Sequence, residues 1–465
     1  MPRSSEAGPL ARTRRGMTTR WKLIGTALAV PALVIACLPG MKGVPKNPAV
    51  EAEETRLGHD ARIDAHAAGL LREGREIFRY DSFGSEDFWG GQLRLHEAIL
   101  GEEQGGVGPG LTPKQALQLG LKVDAGQLPE ILARAIDEGS VSLDDPETTV
   151  ALLRAHSVVG VKAITRDDEV VSVGITCALC HSTVDDSITT GIGARLDGWP
   201  NRDLDVGQVA ALAPSLKPFA DLLGVSEDEV RKVFRSWGPG KYDAELNQDG
   251  KATRPDGKSA ATVLPAAFGL AGVNLHTYTG WGSVSHWNAY VANTQMHGKG
   301  TFFDPRLNDP ERFPLAARAG HGDIRNTPDQ ITPKLAALHY YQLSIPAPKP
   351  PADSFDAAAA ARGKVVFEGK GQCATCHVPP LFVEPGWPMH TPEELGIDDF
   401  QANRSPDRRY RTTPLAGLFT RQKGGFYHDG RFPTYEAVVD HYDRHRRLGL
   451  TADEKRDLVE FLKSL

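Results

Sequence analysis

Cysteine is scarce in this chain of 465 residues, and the five that occur are placed informatively. One stands at position 37, and the other four form two Cys-x-x-Cys pairs, Cys177/Cys180 and Cys373/Cys376, so none is left for a structural disulfide. Methionine is equally scarce at five. Met1, Met17 and Met41 sit in or beside an N-terminal leader, which leaves Met296 and Met389 as the only thioethers in the body of the protein. Net charge is small, −6 over the whole length, and no basic stripe interleaved with aromatics occurs, so a nucleic-acid partner is set aside. A long uninterrupted apolar run is also missing: Leu23 to Leu38 is too short and too broken by proline to be read as a membrane span.

That run has another reading. Arg12, Arg14, Arg15, Arg20 and Lys22 precede it, the arrangement of a secretory signal over residues 1–40, and Met17 is an alternative start. Its end, Val34-Ile35-Ala36-Cys37, also fits a lipobox, so Cys37 is either lipidated or discarded with the signal. The expected location is the periplasm or cell surface, with membrane contact only through a lipid anchor at Cys37.

Behind the leader, a Gly/Pro-containing tether (Gly40 to Pro48) leads to apolar positions at helical spacing between Ala61 and Tyr80. Short helical patterns follow around 116–121, 129–136 and 146–155. Val158 to Gly174 is β-branched around a charged turn, Arg166 to Glu169, and predicts a small hairpin. Ser236 to Gly257, rich in Gly, Pro and Asp, reads as a solvated surface loop. Its Asp243, Asn247 and Asp249 lack the spacing of a calcium loop. The run Ile345 to Pro351 predicts a stiff extended linker. Asp356 then caps an Ala-rich helix (Ala357 to Phe367), and Thr451 with Glu454 forms a capping box for an amphipathic last helix.

Each Cys-x-x-Cys pair is followed directly by a histidine, His181 and His377. Two thiols at this spacing can add to the two vinyl groups of one porphyrin, and the next histidine then falls under the iron. A thioredoxin-like pair needs no such histidine, and two zinc half-sites would not both carry one. The expectation is two covalently bound haem c groups, with His181 and His377 as proximal ligands. The expected fold is mainly α. It has two cytochrome c-like haem domains, residues 50–344 and 352–465, the first enlarged by long loops and the small β-hairpin. Trp281, His286, Trp287, Met296 and His297 lie in the long stretch between Ser182 and Tyr341, which either walls a substrate pocket or is structural elaboration.

Arg411-Thr412-Thr413-Pro414-Leu415, His428-Asp429-Gly430-Arg431-Phe432-Pro433-Thr434 and Val438-Val439-Asp440-His441-Tyr442 resemble the C-terminal haem domain of the bacterial di-haem cytochrome c peroxidase superfamily. A thinner match runs from Thr262 to Phe268. The resemblance implies an electron-transfer cytochrome with a periplasmic donor or acceptor, or alternatively an oxidoreductase that activates peroxide or oxygen at its N-terminal haem. It makes Tyr442 the candidate sixth ligand of the second haem, because Tyr442 stands where the peroxidases carry a ligating methionine and their tryptophan-oxidising relatives a ligating tyrosine. His441 and His428 are the alternatives, as is a Tyr442 that merely packs. It also makes Trp281 the candidate relay between the haems. Three features depart from the peroxidase pattern. The interval between the motifs is long, closer to the rubber-cleaving di-haem oxygenases. The region of the peroxide-cleaving acid reads Gln295 to Thr301, without an acid. Lys423 stands where a calcium-binding threonine is expected.

Overall fold

The helix predicted from Ala61 opens earlier, at Pro48, and runs to Tyr80. The computed structural model describes residues 48–465. The signal segment, Met17 and Cys37 lie outside the described residues. Residues 61–465 form one compact unit, and every feature below belongs to it. The long helix buries Ile77 and Phe78 and crosses the helix Leu335–Ser344 at Gly74. A Cβ at that position would meet the Ala337 carbonyl oxygen at 2.0 Å, so any larger residue there would push the helices apart. Ile63, counted in the apolar pattern, is 53% exposed.

Among the described residues the protein is mainly helical, with five two-stranded sheets. The predicted hairpin is one of them. Val161–Arg166 pairs antiparallel with Glu169–Ile175, and Asp167 and Asp168 both take positive φ at the turn, the mirror-image turn that matches strand twist. Pro146–Arg154 and Glu130–Asp137 form the helices that their periodicity predicted. Asp356 accepts hydrogen bonds from the Ala358 and Ala359 amides and starts the helix Ala357–Glu368. Thr451 and Glu454 form the capping box of Ala452–Lys463. These two helices cross at Gly363, where a Cβ would strike the Asp457 carbonyl, and Phe367 packs on Phe461 with ring centroids 5.1 Å apart.

The linker from Ile345 onward carries no helix or strand. It is nonetheless held, since the Gly269 amide donates to the Ile345 carbonyl at 2.8 Å. Bonds also join the sequence on its two sides. The Val263 amide donates to the His428 carbonyl at 2.8 Å, and Lys241 Nζ donates to the Asp429 carbonyl at 3.0 Å.

The expectation of a solvated loop at Ser236 to Gly257 is corrected. The segment contains a short helix, Leu246–Asp249, and Asp243, Glu245, Asn247, Gln248 and Asp249 are all buried. The cause is a distant cation. Arg404, 1% exposed, pairs with Asp243 at 2.9 Å and with Asp249 at 3.0 Å. Local composition gave no hint of it, because the partner lies far along the chain. Replacing Arg404 with Met removes the cation that pairs with buried Asp243 and Asp249, and should destabilise the fold by about 3–5 kcal/mol. Denaturant unfolding at neutral pH measures this. A loss below about 1 kcal/mol would mean that the carboxylates are not held by Arg404.

Candidate functional site: two cysteine–histidine cavities

The first motif sits on a single helical turn, Ala178–His181, with Cys177 at its N-terminus. Burial pushes both thiols, Cys177 and Cys180, up to about 12, so they are neutral. His181 is held below its ordinary value by burial, and its Nδ1 lies 3.1 Å from the Pro265 carbonyl. A neutral ring that donates from Nδ1 presents a bare Nε2, the form a metal-binding histidine takes. The thinly matching stretch from Thr262 to Phe268 thus supplies the carbonyl that orients His181.

The second motif repeats the device with different neighbours. Cys373–Thr375 is a 3-10 turn, burial pushes the Cys373 thiol up to about 11, and burial lowers His377 to about 4. Its Nδ1 lies 3.0 Å from the Phe382 carbonyl, again leaving Nε2 free.

Each motif opens into its own cavity. Counted out to their mouths, these measure about 1930 Å³ beside Cys177, Cys180 and His181 and about 1450 Å³ beside Cys373, Cys376 and His377. Met296 and Gln295 line the first cavity, as does the helix Val284–Thr294 through Trp287, Asn288 and Val291. Tyr442, Tyr427 and His428 line the second. Met389 lines neither.

The cavities fit a haem on two counts. The donor sets are right, with two thiols and one imidazole Nε2 at each. The charge is also right. Arg421, buried, and Arg411 line the second cavity without a carboxylate partner among the described residues. Burial pushes both guanidinium groups down to about 10. A haem brings two carboxylates, which would supply the missing counter-charge. Cys376, Glu384 and His390 also lie at metal-ligand spacing. His390 and Glu384 pair at 2.6 Å beside the second motif.

The candidate sixth ligands sort themselves. Tyr442 lies on the helix Tyr435–Arg446 and faces the second cavity beside Tyr427, with ring centroids 6.3 Å apart. His428 is buried, lines the same cavity and has an unpartnered Nε2. His441 is not among the residues lining that cavity, and its Nε2 lies 2.8 Å from the Leu395 carbonyl.

Trp281 lines neither cavity. It is buried behind the first, 4.7 Å from Trp287 by ring centroid, with Arg306 over its face at 5.5 Å. The residues that line both cavities are Tyr278 and Arg411. Tyr278-Thr279-Gly280-Trp281 offers two aromatics three positions apart, and the family resemblance points to the tryptophan. Only the course of the backbone reveals that the tyrosine stands between the sites. Lys423, at the expected calcium position, pairs with Asp203.

No protein-family model matches the chain. Over 153 residues it is 31% identical to the methylamine utilization protein MauG of Methylorubrum extorquens, a match that covers 28% of this chain and 43% of that protein. The chain therefore spans less than half the length of this curated relative. Among solved structures, a MauG-like protein associated with microbial copper homeostasis aligns over 48% of this chain and 81% of its own, at 19% identity and a TM-score of 0.31. Hydrazine synthase of Kuenenia stuttgartiensis aligns over 48% and 85% respectively, at 18% identity and a TM-score of 0.25. At those scores neither bears on the argument.

Proposed function

We propose that the chain is an exported di-haem c-type cytochrome that passes electrons between two haems. One is held by Cys177, Cys180 and His181 in a domain of residues 50–344. The other is held by Cys373, Cys376 and His377 in a cytochrome c-like domain of residues 352–465. The observation that carries this reading is the wall shared by the two cavities, built from Tyr278 and Arg411. Iron in such a site supplies one-electron chemistry and, where a coordination position is open, a place for a small oxygen ligand. The protein's own part is to fix each imidazole through Nδ1, to neutralise carboxylates with Arg411 and Arg421, and to place an aromatic ring between the sites. The partner is a periplasmic electron donor or acceptor. Rapid reduction of the loaded protein tests this. Electrons entering one haem should redistribute to the other within a single turnover, whereas two haems that reduce independently would reject it.

A second reading, that the first cavity takes a small oxygen ligand such as peroxide, is favoured by polar residues among those lining it, Gln295, Trp287 and Glu245. Gln295 Nε2, Trp287 Nε1 and Glu245 Oε2 have no hydrogen-bond partner. The expected ferric spectrum then combines one high-spin and one low-spin haem, and two low-spin signals would reject it. Export is proposed from the leader sequence, with a lipid anchor at Cys37. Changing Cys37 to Ser should release the protein from the membrane fraction, and an unchanged fractionation would remove the anchor from this account.

A further inference from the structure

The second motif carries a group of side chains that haem attachment leaves unexplained. One ligand atom each from Cys376, Glu384 and His390 lies within 4.8 Å of the other two, the only such group of histidine, cysteine and carboxylate among the described residues. The first motif has no counterpart there. All three residues are half-buried, and Cys376 and His390 line the second cavity. The loop that brings Glu384 and His390 back to the thiol is pinned to the next stretch of chain. The His390 amide donates to the Tyr410 carbonyl at 2.7 Å, and the Tyr410 amide to the His390 carbonyl at 2.9 Å. Glu384 accepts a hydrogen bond from the Thr412 hydroxyl, and its Oε2 stands 2.6 Å from His390 Nε2. A second carboxylate, that of Glu394, lies 3.5 Å from the other ring nitrogen. An ion pair needs only two of these groups. The third, a free thiol in the chain before haem is attached, makes a mixed sulfur, nitrogen and oxygen donor set, the kind that zinc takes.

We propose that the chain, before attachment, binds a zinc ion through Cys376 Sγ, His390 and Glu384, and that the bound ion withholds Cys376 from the porphyrin. Nitrogen and oxygen donors around a tetrahedral zinc ion stand about 3.4 Å apart, so the pair of His390 and Glu384 opens by about 0.8 Å to admit it. Water from the cavity takes the fourth position. On binding, the S–H bond of Cys376 breaks and an S–Zn bond forms, while the thiol proton and the proton shared by His390 and Glu384 pass to solvent. No group is oxidised or reduced. A sulfur held by zinc cannot add to a vinyl group, so the second motif waits until the metal leaves, whereas the first loads unimpeded. That consequence rests on the reading above in which Cys376 carries haem; the metal site itself does not.

The test uses the full chain in two states, unloaded with reduced thiols and haem-loaded, each titrated with zinc against a competing chelator. The unloaded chain should bind one zinc ion, and Glu384→Gln and His390→Ala should each weaken that binding about tenfold to a hundredfold. X-ray absorption should show a single sulfur in the first shell, with nitrogen and oxygen completing it. Zinc should shield Cys376 from alkylation and leave Cys180 reactive. The haem-loaded chain should bind no zinc at this place. An unloaded chain that binds no zinc, or unchanged binding in both variants, would overturn the proposal while leaving the haem reading intact. Two sulfurs in the first shell would hand the ion to Cys373 and Cys376 together and would overturn it as well. A loaded preparation that still takes up the zinc would reject haem at Cys376 and leave the metal site standing. Should the variants fail to fold, the alkylation pattern of the wild type decides, and equal shielding of Cys180 and Cys376 counts against the proposal.

Discussion

Tyr442→Phe is expected to change the ferric spectrum of the second haem from low-spin to high-spin while both haems stay covalently attached. The argument starts from the packing. Burial holds the Tyr442 phenol above its ordinary value, so in that apolar setting it ionises only if a cation, such as ferric iron, accepts the oxygen. A phenolate is a hard anionic ligand that stabilises ferric over ferrous iron. The wild-type second haem should therefore have a low midpoint potential, and the variant a higher one. An electron paramagnetic resonance spectrum with a redox titration reads both effects. An unchanged spectrum would pass the sixth position to His428, whose Nε2 is free in the same cavity. It would not pass to His441, whose Nε2 already faces the Leu395 carbonyl.

The second large effect concerns cofactor content. The two motifs have separate cavities and separate orienting carbonyls, Pro265 for His181 and Phe382 for His377. Changing Cys373 and Cys376 together to Ser should therefore halve the covalent haem, from two per chain to one, as read by pyridine haemochrome against protein concentration. The remaining haem should still stain after denaturing electrophoresis. Full haem content in that variant would show that the second motif does not carry covalent haem. Complete loss would show that loading of the first motif depends on the second.

Much of this site is legible in the sequence. Cys-x-x-Cys-His puts two thiols and an imidazole at one cavity wall each time it occurs, and capped helices such as Ala357–Glu368 announce themselves through local chemistry at Asp356. Three features were hidden, each for the same reason. Tyr278 rather than Trp281 lines both cavities because the backbone path of the Leu275 to Ser283 segment decides which aromatic faces inward. The Asp243 to Asp249 segment is polar enough to read as solvated, and only Arg404, far along the chain, takes it inside. Arg411 and Arg421 look like surface cations until burial without a carboxylate shows that something anionic is owed to them. Local pattern carries helices and motifs. Partnerships between distant residues carry the walls of the cavities.

The stretch that orients His181 has a consequence for biogenesis. Pro265 supplies the carbonyl for that ring, and Val263, two residues before it, is fastened to the backbone of His428. The first cavity is therefore finished only after the C-terminal third of the polypeptide has emerged and docked. An attachment machinery meeting the chain in order of synthesis would find Cys177 and Cys180 while this wall is still absent, and so would find them accessible. Completion of the fold would then close over an already joined cofactor. Timing, rather than affinity alone, would secure loading of the N-terminal site, and a chain that folded too early would be trapped with its thiols behind a finished wall.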